Sequence, residues 1–414
     1  MGREIFGLGE RGSLVQTRNL MCEANMQQFA LLVSLSMGLF VHAAQTHLKS
    51  ATFQRFIRLL ILAMKNFQEL PLEIHVAVFD AARWEDCRSL VLVNHYLREI
   101  VTPLLYELVF LPTRRRVISF QRTISQNPSL AKYVRHLLMS DRDREGFHVV
   151  LPDFVIYQPQ THTERVVRRQ RIYEWLVERE KELLLFRSSL RHILTHVSPQ
   201  LRSLTLLHYE YSIKTLSDLL MLSFPVLEEL TIRGDYPILP KALHLPRLSR
   251  LHLAAGDMPN PWASFSALAN GCPNLTHLRI TEPLSCILSG VMLAEAFEVA
   301  HGLNKYDAES LAMPIGRRPD GTAWVPPPPR LPDTLQLLLL QPYPPEMSVI
   351  GMQYQDHTDM MYRLEALEQK FRHFKLIPVN NEHYVLPYSF DAAYRDWKDR
   401  MDGGNGCWLT SKTS

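Results

Sequence analysis

Apolar positions recur with two different periods along this chain. Residues 51–68 (ATFQRFIRLLILAMKNFQ) place apolar groups at helical spacing with Arg55, Arg58 and Lys65 between them, which predicts an amphipathic helix running into Pro71. Pro71 suits the first turn of a second helix, where its missing N–H costs nothing, and that helix should continue to about Ala82. The run ARWEDCRSLVLVNHYLREIVTPLLYELVFL adds two short helical stretches ending before Pro103, so residues 70–112 are expected to form one small three-helix unit. A longer helical pattern, in one or two helices, covers 161–197.

Beyond residue 197 the period changes. QLRSLTL, VLEELTI, RLSRLHL and NLTHLRI share the form L-x-x-L-x-[LI], and a proline stands two residues before each first leucine: Pro199, Pro225, Pro246 and Pro273 before Leu201, Leu227, Leu248 and Leu275. The spacings of 26, 21 and 27 residues lie in or near the leucine-rich-repeat range, one short strand plus a helix or turn per unit. YVRHLLM (133–139) reads as an earlier copy and LPDTLQLLLL (331–340) as a later one. Between the copies lies MPIGRRPDGTAWVPPPPRLP (313–332), whose Pro and Gly content predicts a stiff surface loop. The tail, 390–408, mixes aromatic and charged residues and ends DGGNGCW, a helix followed by a turn-rich cap.

Composition narrows the classes. A chain of 414 residues exceeds one ordinary hydrophobic core, so more than one structural unit is expected. With 45 basic and 42 acidic residues the formal net charge is +3, which offers no global attraction for nucleic acid. Five scattered cysteines (Cys22, Cys87, Cys272, Cys286, Cys407) form no C-x-x-C, which points to reduced thiols in the cytosol or nucleus. The apolar stretch FALLVSLSMGLFVHAA (29–44) is shorter than the ~20 residues that cross a bilayer as a helix. It reads as a buried or partner-facing helix in an extension, 1–66, that is helical or poorly ordered, and no membrane role is expected.

Candidate chemistry is sparse. Gly7, Gly9 and Gly12 match G-x-G-x-x-G, but only Ile5 and Phe6 stand where a buried strand is needed. Asp141, Asp143, Glu145 and Gly146 start like a calcium loop whose closing glutamate is replaced by Pro152. His192 and His196 share a helix face without the glutamate or third ligand of a zinc hydrolase. The Arg-rich runs 114–116 and 165–171 sit among glutamates and read as solvated helix faces. No catalytic residue, cofactor or metal is expected, and the chain reads as a non-enzyme.

From residue 70 the chain resembles an F-box. The family pattern begins Leu-Pro-x-Glu-Ile, and Leu70, Pro71, Glu73, Ile74, Val78 and Phe79 fall in register, followed by Leu90, Leu92-Val93-Asn94, Leu97, Ile100 and Pro103-Leu104-Leu105-Tyr106. With the repeats, residues 67–345 are similar to fungal F-box-like proteins with degenerate leucine-rich repeats. His75 stands where the family has leucine, and Ala82 replaces the large apolar residue closing the first helix. The resemblance implies a substrate receptor of a Skp–cullin–F-box ubiquitin ligase, with Leu70, Pro71, Ile74, Val78, Val93, Leu97, Leu104 and Leu105 meeting the Skp-type adaptor.

The expected fold is thus an α/β repeat: an extension (1–66), a small three-helix F-box-like unit (67–112), an irregular leucine-rich-repeat solenoid (113–345) and a C-terminal cap (346–414). Alternation along the strands puts Ser203, Thr205, Glu229, Thr231, Arg233, Arg250, His252, His277 and Arg279 on one outward row. Three Arg less one Glu give that row +2, suited to an acidic or phosphorylated protein target. Glu229, Arg233, Arg250, His252, His277 and Arg279 are the candidate target-binding residues. The rival readings are a binding scaffold outside the ubiquitin pathway and, more remotely, an enzyme using GLGERG with a dinucleotide.

Overall fold

The computed structural model describes residues 91, 95–142, 161–209, 222–234, 244–254, 261–281, 289–304, 329–342, 352–378 and 388–408. The extension 1–66, the glycine motif, Leu70, Pro71, Ile74, Val78 and Val93 lie outside them, as does most of the Pro-rich insertion. The chain divides into two compact units, Met1–Glu107 and Leu108–Ser414.

In the first unit, α1 spans His95–Glu107 and runs through Pro103 instead of stopping there. A proline inside a helix removes one backbone hydrogen bond. Next to it the Thr102 hydroxyl donates to the Arg98 carbonyl at 2.5 Å, supplying a bond within the same turn.

The second unit is built on one sheet of eight parallel strands in sequential order: β1 (Leu108–Leu111), β2 (His136–Ser140), β3 (Ser203–Leu207), β4 (Glu229–Arg233), β5 (Arg250–Ala254), β6 (His277–Thr281), β7 (Leu337–Gln341) and β8 (Phe374–Leu376). This corrects the expected architecture. In place of a helical F-box-like unit followed by an irregular leucine-rich-repeat solenoid, the described chain shows one all-parallel sheet with helices, an α/β arrangement. Two physical reasons stand out. The strands pair directly into one continuous ladder, and the described crossover helices range from the 11 residues before β6 to the 36 residues before β3, so no repeated unit governs these connections. Both faces of the sheet are also covered, the usual state of a parallel sheet.

The L-x-x-L-x-[LI] segments supply β3 to β6, and their prolines have a clear local role. The backbone N–H groups of Leu227, Leu248 and Leu275 donate to the carbonyls of Phe224, Leu245 and Cys272, closing turns in which Pro225, Pro246 and Pro273 take the second position. Proline is preset for that position. Each turn drops a fully buried leucine (Leu227, Leu248, Leu275) into the core two residues before its strand. Polar side chains tie successive turns: Asn274 Nδ2 donates to the Pro246 carbonyl at 2.6 Å, and the Thr334 hydroxyl to the Leu275 carbonyl at 2.8 Å.

One sheet face carries in-register rows of large apolar residues. Leu137, Leu204, Leu230, Leu251, Leu278, Leu338 and Phe374 form one row, and Met139, Leu206, Ile232, Leu253, Ile280 and Leu340 the next. The helices α2 (Arg114–Gln126), α3 (His162–Val197), α4 (Pro261–Gly271), α5 (Ser289–Ala300) and α6 (Met352–Lys370) pack in neighbouring pairs, α2 with α3, α4 with α5 and α5 with α6. Phe265 of α4, Phe297 of α5 and Phe374 meet in sequence, the second pair edge-on, with ring centroids 4.7 and 5.5 Å apart, so these helices share the core of that face.

The predicted helical stretch 161–197 is one helix. Thr161 and Glu164 form a reciprocal capping box at its start, which fixes where it begins. Its buried residues begin at Phe186; the earlier part stays largely in solvent, including the Arg-rich run. His192 and His196 lie on its surface, with His192 Nε2 3.0 Å from the Ser125 hydroxyl.

Candidate functional site

The opposite sheet face is covered by the chain's own C-terminal segment: α7 (Phe390–Met401) and a single 3-10 turn, Gly406–Trp408. Ser389 caps α7 by accepting from the Ala392 N–H. The link between the two elements depends on glycine. Gly403 and Gly406 adopt positive φ of 90° and 55°, and a Cβ on Gly406 would meet Arg400 Cγ and the Asp396 carbonyl at 2.5 and 2.8 Å. This is the turn-rich end of DGGNGCW.

Two apolar contacts seat the segment. Ala393 of α7 packs on Leu138 and Leu207 with Tyr209, Tyr388, Phe390 and Trp397 around it, and Cys407 and Trp408 pack on Leu339. At the first strand Phe110 meets the Tyr394 ring at 4.7 Å between centroids. Arg142 lies 4.4 Å above the Phe390 ring.

Polar contacts fix the register. Glu229 of β4 accepts from Arg400 Nε and from the Trp408 indole N–H, both at 3.0 Å, and Arg250 stands 3.7 Å from the same carboxylate. Arg279 of β6 donates to the Cys407 carbonyl, to the Thr281 hydroxyl at 3.1 Å and to Gln341 Oε1 at 3.4 Å. His252 of β5, fully buried, lies 2.9 Å from the Thr281 hydroxyl and 3.6 Å from Cys407 Sγ, with Tyr388 edge-on to its ring at 4.5 Å. Arg233 is 7% exposed, donates to the His208 carbonyl at 2.7 Å and sits 3.9 Å over the Tyr209 ring.

Each of the six expected target-binding residues therefore sits on this face. Glu229, His252 and Arg279 bond or contact the C-terminal segment, Arg250 pairs with Glu229, and His277 lies edge-on to Trp408 with ring centroids 5.7 Å apart. Arg233 is taken up by the sheet itself. Of the expected adaptor-facing residues, Leu97, Leu104 and Leu105 lie on α1, with Leu104 and Leu105 half-buried.

Electrostatics at the site is governed by burial. Burial and the Arg279 guanidinium hold His252 well below the usual imidazole range, so it is neutral. Burial pushes the Cys407 thiol up to about 12, so it stays protonated. A cysteine–histidine contact of this kind lacks the thiolate that nucleophilic catalysis needs. Asp396, half-buried on α7, is raised by desolvation and accepts from the Tyr388 hydroxyl at 3.1 Å. His136 is lowered to about 4, first by burial and then by Arg202, and lies 2.8 Å from the Ser203 hydroxyl. A cleft of about 20 Å³ remains between sheet and segment, lined by Thr205, Glu229, Asp396, Arg400 and Cys407 among others, with room for about one water molecule.

Tyr388, Asp396, Arg400, Cys407 and Trp408 were not singled out in the sequence, although a signal for them exists. LLLL (337–340) is apolar on both faces, a pattern that requires a cover on each side. Among the described residues no group of three His, Cys, Asp or Glu side chains gathers to hold a metal, and no helix is long and apolar enough to cross a membrane. No family model matches the chain, and no curated protein matches it.

Proposed function

We propose that the chain is a non-catalytic substrate-recognition subunit of a Skp–cullin–F-box ubiquitin ligase, docking on a Skp-type adaptor through the segment from Leu70 to Leu105 and presenting a protein target through the sheet unit. The observation that carries this reading is the division of the chain at Glu107, directly after the Pro103-Leu104-Leu105-Tyr106 end of the F-box-like pattern. A docking segment that belongs to a separate compact unit can engage an adaptor without dismantling the sheet. Catalysis would then be proximity alone: a target lysine held near a ubiquitin thioester reacts at a raised effective concentration. The protonated Cys407 beside a neutral His252 gives no support to an enzymatic reading.

The test is a pull-down of the full chain with purified Skp-type adaptor, next to a Leu70→Ala/Pro71→Ala double variant. Retention by the parent chain and loss in the variant is the expected result. If neither is retained, the receptor reading falls, and a binding scaffold outside the ubiquitin pathway takes its place.

A further inference from the structure

We propose that the sheet face bearing Glu229, His252 and Arg279 is a peptide-binding surface held shut by the chain's own residues 388–408, and that the partner able to displace them is a protein segment bringing an arginine guanidinium and an indole N–H to Glu229. The proposal rests on the receptor reading only for what the partner is used for.

Three features of the contact support a replaceable occupant. The segment is anchored like a bound peptide, through two side-chain donors on one carboxylate and one backbone carbonyl on Arg279. Main-chain capture by Arg279 is indifferent to the occupant's side chain, whereas the paired donors on Glu229 select for arginine and tryptophan. The occupant is also strained at its entry. Tyr388 is held at φ 44°, in the left-handed region that non-glycine residues seldom adopt, with its ring against His252 and its hydroxyl on Asp396. Release of the segment relaxes that residue. Finally, the segment's seat on the sheet is only partly apolar. The cleft beside Glu229 is lined by Ser203, Thr205 and Thr231, polar groups that water can satisfy once the face is open.

The chain carries its own reporter of opening. Cys407 belongs to the segment and packs against Leu339 of the sheet, Cys272 follows α4 in the core, and both thiols are buried. The full chain is treated with iodoacetamide over a series of low urea concentrations, and labelling of each cysteine is followed by peptide mass spectrometry. Local opening predicts Cys407 labelled at least about tenfold faster than Cys272, with a shallower dependence on urea, because less surface is exposed. Glu229→Gln should raise the Cys407 rate roughly tenfold, the worth of one charge-assisted hydrogen bond. Equal rates and equal urea dependence at the two cysteines would show that the segment leaves only on global unfolding and would overturn the proposal.

The surface itself is tested with a synthetic peptide of residues 388–408 carrying Cys407→Ser. At millimolar concentration, comparable to the effective concentration of a tethered segment, it should accelerate Cys407 labelling of the full chain about twofold or more. The same peptide with Arg400→Glu and Trp408→Ala should not. No acceleration by the first peptide, or equal acceleration by both, would overturn the surface assignment. These measurements read residues 388–408, and adaptor binding reads residues 70–105, so failure of one leaves the other standing.

Discussion

Trp408 and Glu229, 179 positions apart in the sequence, are joined by a hydrogen bond of 3.0 Å from the indole N–H to a carboxylate oxygen. The same carboxylate receives Arg400, so one glutamate on a central strand anchors both elements of the C-terminal segment. Replacing Trp408 with Phe keeps the ring and removes the donor. We expect a loss of about 1–2 kcal/mol, read as a lower urea midpoint with an unchanged slope. An unaltered midpoint would mean that the indole N–H contributes nothing net.

Acid should weaken the fold through its buried histidines. His136 binds a proton near pH 6.5 when unfolded but only near pH 4 when folded. A lowered folded value means the unfolded state takes up the proton first, so this group leaves stability intact above pH 6.5 and removes it as pH falls toward 4. The loss reaches about 3 kcal/mol near pH 4 and levels off below it. His252 acts in the same direction. In urea melts from pH 7 to pH 4, His136→Asn should flatten part of the decline; an unchanged profile would remove His136 from the account.

Arg363 of α6 forks onto two glutamates of α5. Its Nε and Nη2 donate to the Glu298 carboxylate at 2.8 and 2.5 Å, and Nη1 donates to Glu295 at 3.2 Å. Lysine cannot reproduce a planar fork. Arg363→Lys is expected to cost about 1 kcal/mol although the charge is kept. The check is thermal unfolding beside Arg363→Gln, which should fall further.

The turn prolines should stabilise through the unfolded chain. Pro246 sits at the second position of the turn that places Leu248. Pro246→Ala should lower stability by about 0.5–1 kcal/mol without altering any buried contact, since it frees the unfolded backbone. Chemical denaturation measures this, and a stabilised variant would contradict the role.

The strands could be read from the chain because their signal is local. A proline turn, a buried leucine and a short apolar alternation fall within eight residues, and those segments became β3 to β6. The cover on the second face could not be read in the same way. Arg400 and Glu229 are 171 residues apart, and Cys407 and His252 are 155 apart, distances that no periodicity spans. Charged residues on alternating positions predict an outward row open to a protein target, because alternation distinguishes two faces but does not say what lies over the second. The doubled apolar run at 337–340 was the available warning. The helix through Pro103 shows the opposite limit: a strong local stop was overridden within one turn.

Sequential strand order has a consequence for how the sheet falls apart. A strand in such an order bonds only to the strands before and after it, so a disturbance at β8 has no direct route to β1. Among the described residues the 388–408 segment supplies that route, touching Phe110 on the first strand, Glu229 midway and Leu339 on the seventh. It works as a bowstring does, tying the two limbs of a structure that would otherwise respond piece by piece. With the string in place the sheet should melt in one step; once it is slack, the ends should fray separately, and the transition should broaden before its midpoint moves.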